Sequence, residues 1–242
     1  MSERHPNIPE DLLFYISAAH DCSYLEGREA ITLFADPEHS LNQHTFTMLS
    51  ELGFRRSGGL VYTPRCAECN ACIPARIVVK DFAPDRSQRR NRKTNQELEV
   101  RIIEGQFSDE HIDLYRRYIR SRHPDGSMNV ESKQEVERFF LCDWSDTFFI
   151  EFLLEGRLIA LAVVDALGSG LSAVYTIFDP AEEKRGLGVY AILSLVEEAK
   201  RRGLPYVYLG YIIHESPKMA YKAHYRPLQL FRDGQWHLSN KP

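Results

Sequence analysis

Apolar and polar positions change period several times along the chain, and each change predicts an element. Residues 11–17 and 30–34 are aromatic and aliphatic runs of strand length. In 42–52, Phe46, Leu49 and Leu52 recur near helical spacing, and Gly53 supplies a stop. Residues 54–62 read as a hairpin about Gly58-Gly59, and 75–79 as a strand. A helix is predicted over 86–93, a strand over 98–103, and a helix over 108–121 with Ser108 as its cap. A loop at 123–130 carries Pro124 and Gly126, and a further helix covers 133–141. Three strands follow, at 148–154, 157–165 and 171–178, the first two joined by Glu155-Gly156. A helix at 188–202 ends at Gly203, and a buried strand occupies 206–209. Pro217 then opens a last helix, and a hairpin closes near Gly234.

This order of elements predicts an α+β, mixed α/β fold. The expected division runs after Gly105, giving parts 1–105 and 106–242. The chain has 242 residues and a net charge of −4, so a polyanion must be met by a local patch. The N-terminus lacks the apolar core of a secretory signal, and no apolar run reaches the ~20 residues of a membrane helix. A cytoplasmic protein with no membrane partner is expected, with its five cysteines reduced.

Within that frame, four stretches carry chemistry. Cys66, Cys69 and Cys72 fall at two-residue intervals, and Cys22 stands upstream. Such thiolates are a candidate set for zinc or an iron–sulfur cluster, and a compact loop without metal is the alternative. Cys142 reads as a solitary core residue. Arg86, Arg89, Arg90, Arg92 and Lys93 make five of eight consecutive residues cationic. Arg86, Arg89, Arg90 and Lys93 share one helix face, which suits phosphate contacts. Arg185-Gly186-Leu187-Gly188 resembles the acetyl-CoA pyrophosphate loop of the GNAT acyltransferases, although Tyr190 stands where a small residue is usual. Finally, residues 208–227 interleave tyrosines with cations, a pattern suited to stacking on bases beside phosphates; Lys218 and Lys222 are four apart, as are Tyr221 and Tyr225, so each pair can share a helix face.

Taken together, Cys22-Ser23-Tyr24-Leu25, the run from Tyr62 through Cys66, Cys69, Cys72 and Pro74 to Arg76, the basic stretch from Arg86, and 208–227 resemble the arginyl-tRNA–protein transferase family. The likeness is to its short bacterial branch of leucyltransferases, and it covers nearly the whole chain. It implies a duplicated GNAT-like acyltransferase fold of two packed mixed-sheet halves. It also implies transfer of an amino acid, leucine rather than arginine, from aminoacyl-tRNA to proteins with N-terminal Asp or Glu, marking them for degradation. No cofactor is implied for the transfer. The longer branch has a cysteine pair upstream, where this chain has Leu25.

On that resemblance, Lys218, Tyr221 and Tyr225 are the candidate catalytic set, with no general base assigned. With Lys222 they are expected to line the aminoacyl-adenosine end. Arg76, then Arg226, are candidates for the acceptor's acidic side chain, because guanidinium forks match carboxylates. Arg86, Arg89, Arg90, Arg92, Lys93 and Lys222 are the expected tRNA contacts. His20, Asp21 and His224 are the available proton acceptors. Two other readings remain at this point: a CoA-dependent N-acetyltransferase, and a metal-stapled RNA-binding module without catalysis.

Overall fold

The computed structural model describes residues 8–122 and 132–239, so the predicted loop at 123–130 lies outside the described residues. The first part holds β1 (Phe14–Ile16), β2 (His20–Asp21), β3 (Glu29–Ala30), β4 (Thr32–Ala35), α1 (Gln43–Glu51), β5 (Arg55–Ser57) and β6 (Leu60–Pro64). Then come β7 (Ile73–Val78), α2 (Arg86–Thr94), β8 (Glu99–Glu104), α3 (Asp109–Arg122), α4 (Lys133–Phe140), β9 (Asp146–Leu154), β10 (Arg157–Leu167) and β11 (Gly170–Phe178). A 3₁₀ turn at Pro180–Arg185 leads into α5 (Leu187–Arg201) and β12 (Tyr206–Ile212). The chain ends with α6 (Pro217–Ala220), a second 3₁₀ turn at Tyr221–His224, β13 (Leu228–Arg232) and β14 (Gln235–Leu238).

The class is mixed α/β, as the sequence predicts. Two main sheets of unequal size form it. A four-stranded antiparallel sheet runs β1-β4-β6-β5, and an eight-stranded sheet runs β14-β13-β7-β12-β11-β10-β9-β8. Only β11 and β12 pair in parallel in the larger sheet. β10 lies between β11 and β9, buried on both faces, which is why its sequence is a nearly unbroken apolar run. One face packs against α5 through Leu193 and Val196, and the other against α3 and α4 through Leu114, Tyr115 and Phe140. A third core under the small sheet joins Phe46, Leu49 and Val61 to Leu167 and Tyr208 of the large one.

The expected division at residue 105 is not where the sheets part. Both β7 and β8 belong to the larger sheet, and β7 lies between β12 and β13. The break at Gly105 is a turn between β8 and α3. The change of sheet falls between β6 and β7, across the cysteine segment. β7 requires cover on both faces, since Ile73, Ala75, Arg76 and Ile77 are all buried.

Local signals explain the ends of several elements. Asn42 caps α1 by accepting from the Thr45 N–H at 2.9 Å, and Gly53, at φ 86°, lets the chain leave it. Asp85 and Gln88 form a reciprocal capping box at the start of α2. The last predicted helix is shorter than expected. It ends at Ala220, and the chain tightens into the 3₁₀ turn that follows.

Candidate functional site

The larger sheet opens at its one parallel pair. β11 and β12 are in register only from Gly170 opposite Tyr206 to Ser172 opposite Tyr208. β11 nevertheless continues to Phe178 and β12 to Ile212. A bulge in β12 at Leu209, and another in β11 at Val174, opposite Val163 and Val164 of β10, accompany the split. Arg55, from the small sheet, reaches into it. Its Nη1 donates to Ser172 Oγ at 2.7 Å and its Nη2 to the Ala173 carbonyl. Gly210, at φ 75°, leaves room for that guanidinium: a Cβ there would stand 3.2 Å from Arg55 Nε.

Lys222 comes to the same place from the second 3₁₀ turn. Its Nζ donates to the Tyr211 carbonyl at 2.9 Å, and it makes no ion pair among the described residues. Burial, followed by the nearby charge of Arg55, pushes its pKa down to about 7. Tyr211 anchors the wall by donating its hydroxyl to the Gly53 carbonyl at 3.2 Å. Tyr62 lies beside it, with ring centroids 6.4 Å apart. Burial raises the pKa of both phenols.

The lowered lysine has a thermodynamic consequence. Between about pH 7 and about 10.4 the unfolded chain holds a proton that the folded chain has released, so stability rises with pH across that window. Lys222→Met removes the penalty. At pH 6.5 it is expected to stabilise the fold by roughly 1–3 kcal/mol in urea unfolding, with the gain shrinking toward pH 10.

The cysteines gather on the outer side of this site. Arg28 donates to Cys69 Sγ at 3.3 Å and pairs with Glu215 at 3.0 Å. Burial, with Cys22, Cys66 and Cys69 nearby, pushes the Cys72 thiol up to about 11. Among the described residues, no three His, Cys, Asp or Glu side chains are grouped to hold a metal ion. Cys22, Cys66 and Cys69 nonetheless lie near Cys72, and the Cys69 thiol accepts from Arg28.

Arg86, Arg89, Arg90 and Lys93 lie on the exposed side of α2. Arg92 points elsewhere and pairs with Glu197 at 2.6 Å. The buried side of α2 explains what the glycine turn does. Asn91 donates to the carbonyls of Arg185 and Gly186, and Asn95 to that of Arg185. A Cβ on Gly186, at φ 62°, would stand 2.8 Å from Asn91 Nδ2. α2 thus packs against the Gly186 side of the turn that resembles a pyrophosphate loop, a Cβ on Gly188 would meet nothing within 4 Å, and Arg185 is tied to Glu97 and Glu182.

Other expectations need correcting. Arg76 is only 7% exposed. Its guanidinium lies 3.5 Å from the Tyr206 ring centroid and 4.2 Å from that of Trp236, and it donates to Gln229 and Tyr208. It is a strut between β7, β12 and β13, with no face offered to an acceptor. Arg226 donates to the Ser239 carbonyl at 3.0 Å. Lys218 and Lys222 do not share a face, because the helix stops between them: Lys218 is exposed while Lys222 turns inward. Tyr221 is 38% exposed, whereas Tyr225 is 1% exposed and its hydroxyl has no hydrogen-bond partner among the described residues. His20, Asp21 and His224 are exposed. Arg55 carried no sequence motif; its one visible signal is a charge in a hairpin strand beside a second, Arg56.

An open mixed sheet flanked by helices, with unpaired cations at its split and a basic helix alongside, suits a transferase of anionic substrates. Family models describe the rest. "Arginine-tRNA-protein transferase, N terminus" matches residues 20–90, and "Arginine-tRNA-protein transferase, C terminus" matches 110–232. The aspartate/glutamate leucyltransferase of Pseudomonas fluorescens is 49% identical over 229 residues, covering 95% of this chain and 97% of that one. That of Alcanivorax borkumensis is 48% identical over 231 residues, covering 96% of each. Among solved structures, L-PGS from Bacillus licheniformis aligns with a TM-score of 0.46 at 12% identity, over 84% of this chain and 69% of that one. The chain belongs to the arginine-tRNA–protein transferase family, and is thereby an aminoacyltransferase.

Proposed function

We propose that this protein moves leucine from Leu-tRNA to the α-amine of proteins that begin with Asp or Glu. The observation that carries the reading is the near-full-length likeness to relatives named aspartate/glutamate leucyltransferase. In the reaction, the acceptor nitrogen attacks the carbonyl carbon of the aminoacyl ester. A C–N bond forms, the C–O bond to the terminal ribose breaks, and the amine gives up a proton. The ester is already activated, and an α-amine has a pKa of about 7.7–8, so much of the catalysis can come from positioning. No helix of the described residues is long and apolar enough to cross a membrane. The setting we assign is cytoplasmic, with the added leucine marking the acceptor for degradation.

Arg86, Arg89, Arg90 and Lys93 are assigned to the tRNA backbone. The exposed Tyr221 and Lys218 are assigned to its aminoacylated end, with Tyr225 supporting Tyr221 from 6.4 Å between ring centroids. The near-full-length likeness to relatives named leucyltransferases argues against the CoA-dependent alternative, as does Tyr190 in the place of a small residue. A donor panel tests the proposal: one Asp-initiated peptide is offered Leu-tRNA, Arg-tRNA and acetyl-CoA. Transfer from Leu-tRNA well above the other two is expected. Acetylation, or transfer from neither tRNA, would overturn it.

A further inference from the structure

Two cations without carboxylate partners meet at the split in the larger sheet. Most basic side chains that leave the surface in this protein are neutralised or stacked. Arg56 is held by Asp165, Arg185 by Glu97 and Glu182, and Arg76 by aromatic rings. Arg55 and Lys222 differ. Their recorded hydrogen bonds go to a hydroxyl, to backbone carbonyls and to a weak thioether acceptor at 3.9 Å, and neither ion-pairs among the described residues. Holding two like charges together away from water is costly, and an anion relieves both at once.

We propose that Arg55 and Lys222 form the carboxylate subsite that selects acceptors beginning with Asp or Glu. The inference rests on the acceptor class proposed above and assigns it to residues. Several features favour a carboxylate over a tRNA phosphate. The phosphate-suited cations are the exposed ones on α2, whereas Arg55 and Lys222 are partly buried behind Tyr62 and Tyr211. One guanidinium and one ammonium provide directed donors for a compact anion. Arg55 also has N–H groups left over, since only its Nη1 and Nη2 carry recorded bonds.

The site's position fits an N-terminal residue. Past Ser172, β11 and β12 no longer pair with each other, and Arg55 reaches into the gap between them, so the first residue of the acceptor is placed at the mouth of that gap, beside the guanidinium. A side-chain carboxylate on Arg55 and Lys222 would hold that first residue and leave its α-amine free. Tyr211, whose carbonyl holds Lys222, fixes the ammonium without neutralising it. When the carboxylate is present, Lys222 is expected to be the charged ammonium.

The test measures KM and kcat for leucyl transfer to matched peptides beginning with Asp, Glu, Asn and Gln. It compares the full-length protein with Lys222→Met, Lys222→Arg and Arg55→Lys. Wild type comes first: if it transfers leucine equally well to all four, the proposed acceptor class itself fails, before any residue is assigned. Given an acidic preference, Lys222→Met should raise KM for the Asp peptide by about 10–100-fold, the effect of losing one charge-assisted hydrogen bond. The Asp-to-Asn ratio in kcat/KM should fall by a similar factor. Lys222→Arg should keep most of the preference, and KM for Leu-tRNA should change by less than about twofold in each variant, since uniform donor binding is untouched. Arg55→Lys serves as an independent check and should also erode the ratio. The assignment is overturned if both Lys222→Met and Arg55→Lys keep the acidic preference. It is equally overturned if Lys222→Met lowers kcat alike for all four peptides at unchanged KM, the signature of a proton-transfer role. Lys222→Met is expected to fold at least as stably as wild type, so loss of structure does not obscure the result.

Discussion

Replacing Arg86, Arg89, Arg90 and Lys93 together by alanine is expected to weaken binding of charged tRNA by on the order of 100–1,000-fold near 0.1 M salt. The slope of log affinity against log salt should flatten by about three units, because each lost phosphate contact removes a released counterion. The expectation follows from how α2 is held. Its inner side is fixed by Gln88 to the His224 carbonyl and by Asn91 and Asn95 to the glycine turn. The four outer side chains form no ion pair among the described residues, so removing them leaves that docking in place. Alanine also preserves helix propensity. Arg92, paired with Glu197 off that face, is the natural comparison, and Arg92→Ala should change affinity by less than about fivefold. Fluorescence anisotropy across 50 to 300 mM salt (roughly the range where such slopes are readable) checks both. An unchanged slope in the fourfold variant would remove α2 from the tRNA interface.

Asp165→Ala is expected to cost about 3–5 kcal/mol of stability, measured by urea unfolding. Arg56 on β5 donates through Nε and Nη2 to the two carboxylate oxygens of Asp165 on β10, each at 2.6 Å. Both side chains are essentially without solvent, at 1% and 0% exposure. Thr147 on β9 adds a third bond to the same carboxylate at 2.7 Å. The pair fastens β5 of the small sheet to β10 of the large one. Removing Asp165 leaves a buried guanidinium facing only the Gly58 carbonyl and Thr147. The cost should lie mainly in that stranded charge, so Arg56→Met combined with Asp165→Leu should recover much of the loss. A single variant within about 1 kcal/mol of wild type would show that the sheets are held by other contacts. Because Arg55 is the next residue, a loosened β5 should also lower leucyl transfer.

Most of the elements were readable because their patterns are local. Phe46 and Leu49 at helical spacing, the Gly58-Gly59 hairpin and the uninterrupted apolar run of β10 each carry their own signal. The partner of β7 was not readable. Its pairing with β12 and β13 joins residues more than a hundred positions apart, and nothing near Arg76 announces this. That is why a residue closing the cysteine motif looked like a substrate contact and is instead stacked between Tyr206 and Trp236. The tyrosine–lysine segment misled differently. Spacing placed Lys218 and Lys222 on one face, but the helix stops at Ala220 and sends Lys222 inward. The cysteines were legible as a cluster, and their mutual nearness is real, but nothing near them in sequence announces that Arg28 reaches Cys69. Arg55 was invisible because its meaning depends on a gap between two strands far along the chain.

The proposed reaction carries leucine from tRNA to an α-amine on a protein with an acidic first residue. Its most direct test is tandem mass spectrometry of a peptide beginning with Asp after incubation with the protein and Leu-tRNA, beside the same peptide blocked by N-terminal acetylation. One leucine in amide linkage ahead of the Asp, and none on the blocked peptide, is the predicted result. Leucine on a lysine side chain, addition to the blocked peptide, or no addition to either would contradict the claim.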